Sequence, residues 1–273
     1  MARKARLCIP HLPHLLKLVA ATGARPLACE EARERLLATL VQGQQRSAVR
    51  LHAYSLLPDA VYLLATPEDA HALSGLMQML ARRASRGLAQ VERVAMAVGT
   101  TVRADVPDDE QASPGAVTGD QPRASGHSVV WAGRFRSAVL EPPLWALRAM
   151  VWVDTAAQRA GLTATAPMWA WSSAGVHCGQ AGPRGGMPAL HLPAAYWALG
   201  NTPFEREAAY ARMLQAGLGA AEGAALERAL RAGLALGGAA FVAELEQVAG
   251  RRLQPGVRGR PRKMSEASDT PAP

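Results

Sequence analysis

Apolar and polar positions change period several times along the chain, and each change marks an element. His14 to Val19 is a short apolar run around Lys17 and predicts a first strand. Between Glu30 and about Val41, Leu36, Leu37 and Leu40 return on one side at helical spacing. Arg50 to Leu56 and Val61 to Thr66 predict two strands joined at Pro58 and Asp59, an antiparallel hairpin stopped by Pro67. Leu73, Leu76, Met77 and Leu80 predict a second amphipathic helix, ending near Arg86 among arginines that suit a helix C-terminus. Val129 to Leu140 predicts another strand, and Pro142 and Pro143 open a helix to about Ala157. Strand, helix, strand, strand, helix, strand is the split βαβ, ferredoxin-like order, with one helix more. The expected fold class is therefore α+β, a four-stranded antiparallel sheet carrying two helices on one face.

Residues of about 98–128 interrupt this pattern with acids, prolines and glycines, and predict a disordered or loop insertion. Beyond Gly161 the chain passes Trp171, Ser172 and Ser173 and a Gly/Pro-rich stretch at 179–188. Thr202, Pro203 and Glu205 then form a capping-box signature that starts a helix to Ala216. Helices are expected at about 222–232 and 238–249. The layout is a ferredoxin-fold domain at 1–178, a linker at 179–201, a helical region at 202–250 and a basic tail at 251–273.

Composition refines this picture. Apolar residues make up 49% of the chain and aromatics only 5%, so leucine and alanine fill the core. Thirty Lys and Arg against 22 Asp and Glu leave a formal charge of +8. Arg251, Arg252, Arg258, Arg260, Arg262 and Lys263 stand within 13 residues that hold no acid. All basic residues but Lys4, Lys17 and Lys263 are arginine; arginine suits phosphate, and it also follows from a GC-rich genome. No apolar run reaches the roughly 18 residues of a transmembrane span, and the start does not read as a secretory signal. Cys8, Cys29 and Cys178 lie far apart, give neither a disulfide framework nor a zinc site, and fit a cytoplasmic protein.

The hairpin from His52 to Pro67, which runs His-Ala-Tyr-Ser-Leu-Leu-Pro-Asp-Ala-Val-Tyr-Leu-Leu, carries a resemblance. It is similar to the signature His-Ala-Tyr-hydrophobic-Met-Pro-Asn-His-hydrophobic-His-Leu-Leu of REP-associated tyrosine transposases, a branch of the single-tyrosine HUH transposases. Trp131 to Ser137, Trp152 to Leu162 and Trp171 to Ser173 resemble later motifs of that family, and the resemblance spans roughly 7–93 and 129–175. It implies an enzyme that holds a divalent metal on two strand histidines and an asparagine, and attacks single-stranded DNA with a helix tyrosine. Two ligands at i and i+2 of a strand face the same way, and the ion offsets phosphate charge. Carried over, the histidines fall on Ala60 and Tyr62, the tyrosine on Trp152 and the asparagine on Ala156. Neither alanine has a ligand atom, Trp152 has no oxygen for a phosphodiester, and a phenol is a poor ligand near neutral pH. The resemblance is thus to a scaffold without its reaction centre, with no cofactor and no metal expected.

Other residues read more plainly. His14 and His52 are expected to be structural histidines, Asp154 a solvated residue, and His177 and Cys178 loop residues without a third partner. Tyr54 and Tyr62 are expected to pack across the sheet. Arg134, Arg136 and Arg159 remain from the family's strand, turn and groove motifs and are expected to touch DNA. Arg258-Gly-Arg-Pro261 is the core of an AT-hook, which lies in the minor groove of A·T-rich DNA, with Arg262 and Lys263 on phosphates. The expected partner is DNA: single-stranded, hairpin or A·T-rich duplex. No membrane is expected, and relatives of both states leave a homodimer open. The competing readings are strand cleavage through an unconventional centre and a protein-interaction module.

Overall fold

The computed structural model describes residues 7–102, 130–180 and 186–254. β1 (His14–Val19), α1 (Glu30–Arg46), β2 (Val49–Leu57), β3 (Ala60–Pro67), α2 (Ala72–Val102) and β4 (Arg136–Leu140) follow one another in the expected order. Their strands pair antiparallel in the order β2-β3-β1-β4, the ferredoxin-like arrangement of an α+β fold. Next come α3 (Pro142–Asp154), α4 (Ala156–Arg159), α5 (Ala174–His177), α6 (Ala194–Trp197), α7 (Pro203–Ala216) and α8 (Ala220–Ala232). The two-residue β5 (Ala235–Leu236) then joins β4 in parallel, so the sheet is five-stranded and mixed, and α9 (Ala239–Ala249) follows it.

Three boundaries differ from the sequence pattern. α2 continues through Val102, so the first residues of the expected insertion are helical, and the rest of it lies outside the described residues. β4 begins only at Arg136. Trp131 makes an isolated bridge to Ala20, and the backbone then turns at Gly133, whose φ of 140° breaks the extended run. The helix from Pro142 ends at Asp154 rather than near Ala157, with the Thr155 hydroxyl donating back to the Val151 carbonyl at 2.6 Å.

Strand alternation divides the interior in two. Leu16, Leu18, Leu51, Tyr54, Val61 and Leu63 face α1 and α2. The two helices pack so closely that a Cβ at Gly43 of α1 would lie 2.5 Å from Leu76 Cδ1 and 2.7 Å from Met79 Cε. Leu15, Ala53, Leu64, Ala138 and Leu140 face the other way, onto α3 and onto Tyr210, Leu214, Leu226 and Leu230 of α7 and α8. Tyr54 and Tyr62 therefore do not pack together: Tyr62 stands opposite Ser55, and Tyr54 points to the opposite face.

The helical region thus seals the second face of the sheet. The capping box that starts α7 is formed: Thr202 Oγ1 accepts from the Glu205 amide at 3.2 Å, and Glu205 Oε2 accepts from the Thr202 amide at 3.1 Å. α9 packs Val242 and Leu245 against Val139, together with Leu253, which is 1% exposed. Among the described residues no helix is long and apolar enough to cross a membrane.

Candidate nucleic-acid interface

The four positions that stand for the family's reaction centre converge at one end of the sheet's second face. Pairing of β3 with β1 sets Ala60 opposite Val19 and Tyr62 opposite Lys17. Ala60 packs with Leu57, Ala156 and Ala157 in a small apolar cluster bordered by Tyr62. The Tyr62 ring meets the Trp152 ring edge-on, with centroids 5.2 Å apart at 71°. Two cations flank this pair. Lys17 Nζ lies 5.0 Å from the Tyr62 centroid and 5.9 Å from that of Trp152, and the Arg159 guanidinium lies 4.7 Å from Trp152. Glu227 of α8 reaches Lys17 at 3.4 Å, while Arg159 donates to the Trp152 carbonyl at 2.6 Å. This corner is built from packing and cation–aromatic contacts, each worth about 0.5–1 kcal/mol at such a site. Among the described residues no three or more His, Cys, Asp or Glu side chains gather as a metal site.

The two histidines of the sheet are fully used by the fold. His14 Nδ1 donates to the Leu12 carbonyl at 2.8 Å, and its Nε2 accepts from the Ile9 amide at 3.1 Å. His52 sits at a bulge in β2, where Nδ1 donates to the His191 carbonyl and Nε2 accepts from the Thr66 hydroxyl at 2.7 Å. Burial lowers both rings to about 4.

Asp154 corrects its expected place in solvent. It is wholly buried and accepts three hydrogen bonds: from Ser173 Oγ at 2.6 Å, from His177 Nδ1 at 2.7 Å and from the Tyr210 hydroxyl at 2.7 Å. Ser173 Oγ in turn accepts from the Tyr54 amide at 2.9 Å, and the Tyr196 hydroxyl donates to the His177 carbonyl at 2.7 Å. His177 is therefore no loop residue without a partner; it ends α5 and is held inside the protein. Burial, reinforced by Asp154, holds the Tyr210 phenol well above its ordinary value, and burial with Glu207 nearby pushes Tyr196 up to about 12. Cys178 is likewise pushed up to about 11 by burial, then by Asp154 and Glu207, so its thiol stays protonated.

Basic side chains gather elsewhere. A concavity of about 560 Å³ lies beside the start of β4, lined by Arg134, Phe135, Arg136, Arg231, Arg251 and Arg252 among others. Parallel pairing of β5 with β4 brings it about. That pairing carries the last turn of α8, with Arg231, and the chain leaving α9, with Arg251 and Arg252, to the end of the sheet where Arg134 and Arg136 stand. Arg134, Arg136, Arg231 and Arg252 are exposed, and among the described residues no carboxylate pairs with any of them. Arg134 and Arg136, expected on DNA, thus meet Arg251 and Arg252 of the basic run that starts the tail, while Arg159 is separate, on Trp152. Arg231 carries no such signal in the sequence because it lies in an alanine-rich helix with Arg228 as its near basic neighbour, far in number from Arg134 and Arg136. Arg258, Arg260, Arg262 and Lys263 lie outside the described residues.

No protein-family model and no curated protein matches the chain. Among solved structures it is similar to a REP-associated tyrosine transposase bound to a REP hairpin, at 11% identity and a TM-score of 0.45. That likeness covers 66% of this chain and 86% of the other.

Proposed function

We propose that the protein binds DNA as a relative of REP-associated tyrosine transposases, with packing in place of the strand-cleaving centre. The observation that carries the reading is the arginine concavity: the exposed guanidinium groups of Arg134, Arg136, Arg231 and Arg252, from three separate parts of the chain, stand around one hollow, and among the described residues no carboxylate pairs with them. Such a surface follows a phosphate track, and its affinity comes mainly from counterion release. The loss of cleavage rests on Ala60, Tyr62, Trp152 and Ala156, which together lack the imidazoles, the amide and the helix phenol. The sequence resemblance supports DNA as the partner; the AT-hook core and its neighbours, Arg258 to Lys263, add a second basic segment.

The test is a titration of labelled single-stranded, hairpin and duplex DNA across a salt series, with the wild-type protein and the triple variant Arg134→Ala, Arg136→Ala, Arg231→Ala. If each arginine meets a phosphate, the slope of log affinity against log salt falls by about three. Unchanged affinity and slope would reassign the concavity to a protein partner. Incubation with single strands and Mg²⁺ or Mn²⁺ is expected to yield no denaturation-resistant adduct; an adduct mapped to Tyr62 or Tyr54 would restore cleavage.

A further inference from the structure

The arginine concavity is a hollow rather than a plain face, and its lining holds more than charge. Arg134, Arg136, Arg231 and Arg252 are exposed around its volume of about 560 Å³, and among the described residues none of them pairs with a carboxylate. Leu7, Phe135 and Leu234 add part-exposed apolar surface to the same lining. Gly133 leaves a stretch of it without a side chain. A Cβ there would meet no heavy atom within 4 Å, so the backbone is open to a neighbour. The amides of Gly133 and Arg134, between the bridge at Trp131 and the start of β4, make no hydrogen bond within the described residues.

We propose that the concavity takes a nucleotide bearing a terminal phosphate, with the phosphomonoester on the arginines and the base against Leu7, Phe135 and Leu234. This rests on the DNA reading above and names the part of a strand that the hollow meets, its end. A phosphodiester inside a strand carries a single negative charge and two free oxygens. A phosphomonoester approaches a double charge near neutral pH and has three strong acceptor oxygens. Guanidinium groups converging on one hollow match the monoester better, since each planar fork takes oxygens in pairs. The unpaired Gly133 and Arg134 amides are further donors for an anion that reaches the backbone. A phosphate track alone would leave the apolar lining uncovered; the base of a terminal nucleotide, free of stacking on one side, covers it. The size falls in the range of ligand cavities, about 300–1,000 Å³. The same chemistry has two sources, a strand end and a free mononucleotide.

The full chain is titrated with internally labelled single strands of one sequence that end in a 5′-phosphate, a 3′-phosphate or hydroxyls only. A fourth strand, longer by two nucleotides and ending in hydroxyls, gains its charge as internal diesters instead. At least one phosphorylated strand is expected to bind about tenfold tighter than the hydroxyl strand, and the longer strand is expected to gain much less. Arg134→Ala with Arg231→Ala, both at exposed positions, is expected to remove the gain. Deoxyadenosine 5′-monophosphate is expected to displace the phosphorylated strand at lower concentration than inorganic phosphate does; equal displacement would overturn the place given to the base. Equal affinity of all four strands would overturn the proposal, and the DNA reading would stand if that affinity still falls in the arginine variant. Binding of no strand would overturn the DNA reading. Saturable binding of the free nucleotide would then still support the site, and no binding of it at millimolar concentration would overturn the proposal as well.

Discussion

Asp154 shows how one residue changes meaning once its neighbours are known. A carboxylate in an apolar helix reads as a solvated side chain because charged groups are seldom buried. Here Ser173, His177 and Tyr210 supply three donors, so burial is compensated. Asp154→Asn puts an amide N–H₂ where a donor already points, Ser173 at one oxygen position or His177 and Tyr210 at the other. It is expected to cost about 3 kcal/mol of stability, measurable as a lower urea midpoint. The buried histidines give a pH signature of definite sign. His14 and His52 stay neutral in the folded chain down to about 4, whereas the unfolded chain protonates them near the ordinary 6.5. Stability is therefore full above about pH 6.5 and falls as the pH drops toward 4, by up to about 3 kcal/mol per histidine. Urea denaturation at several pH values checks this, and His52→Gln is expected to flatten the slope.

At the scale of elements, two contacts determine how helices sit on the sheet. Gly43 lets α1 approach α2 until no side chain fits between it and Leu76. Gly43→Val is expected to destabilise the fold by roughly 1–3 kcal/mol through overpacking, even though valine is more apolar. Thermal unfolding reads the effect, and a partial rescue by Met79→Ala, which vacates one of the two contacts, separates crowding from helix propensity. At the start of α7 the Thr202 cap is exposed and local. Thr202→Ala is expected to cost about 1 kcal/mol, with no change in DNA affinity, since α7 lines no part of the arginine concavity.

The whole molecule adds a constraint on where the tail starts. Leu253 is buried against Val139, Val242 and Leu245, and its amide donates to Glu246 at 2.7 Å. A cut after Gly250 therefore removes part of the core as well as charge, whereas a cut after Gln254 leaves that packing whole. The shorter chain lacks Arg258, Arg260, Arg262 and Lys263. If all four meet phosphates, its salt slope is expected to be shallower by about 3.6, with the largest loss of affinity on A·T-rich duplex. Any hairpin preference is expected to survive, because the folded part keeps Arg134, Arg136 and Arg231. An unchanged slope would assign the tail to solubility or a protein partner.

Element order, the hairpin at Pro58 and Asp59 and the cap at Thr202 were legible in the chain itself. Each is a local matter: periodicity reports which side of an element is apolar, and turn and cap residues act on their own backbone. The meeting of Ala60, Tyr62, Trp152 and Ala156 was legible too, through alternation on a strand and the order of a known fold. What the linear pattern left out was decided by packing over long distances. β5 has two residues, too few for any period, yet its pairing with β4 draws Arg231 and Arg252 to Arg134 and Arg136. Asp154, Ser173, His177 and Tyr210 are spread over 57 positions and share no spacing rule. They form one network only because α3, α5 and α7 bury the same face of the sheet, where an unpaired polar group is too costly to leave alone.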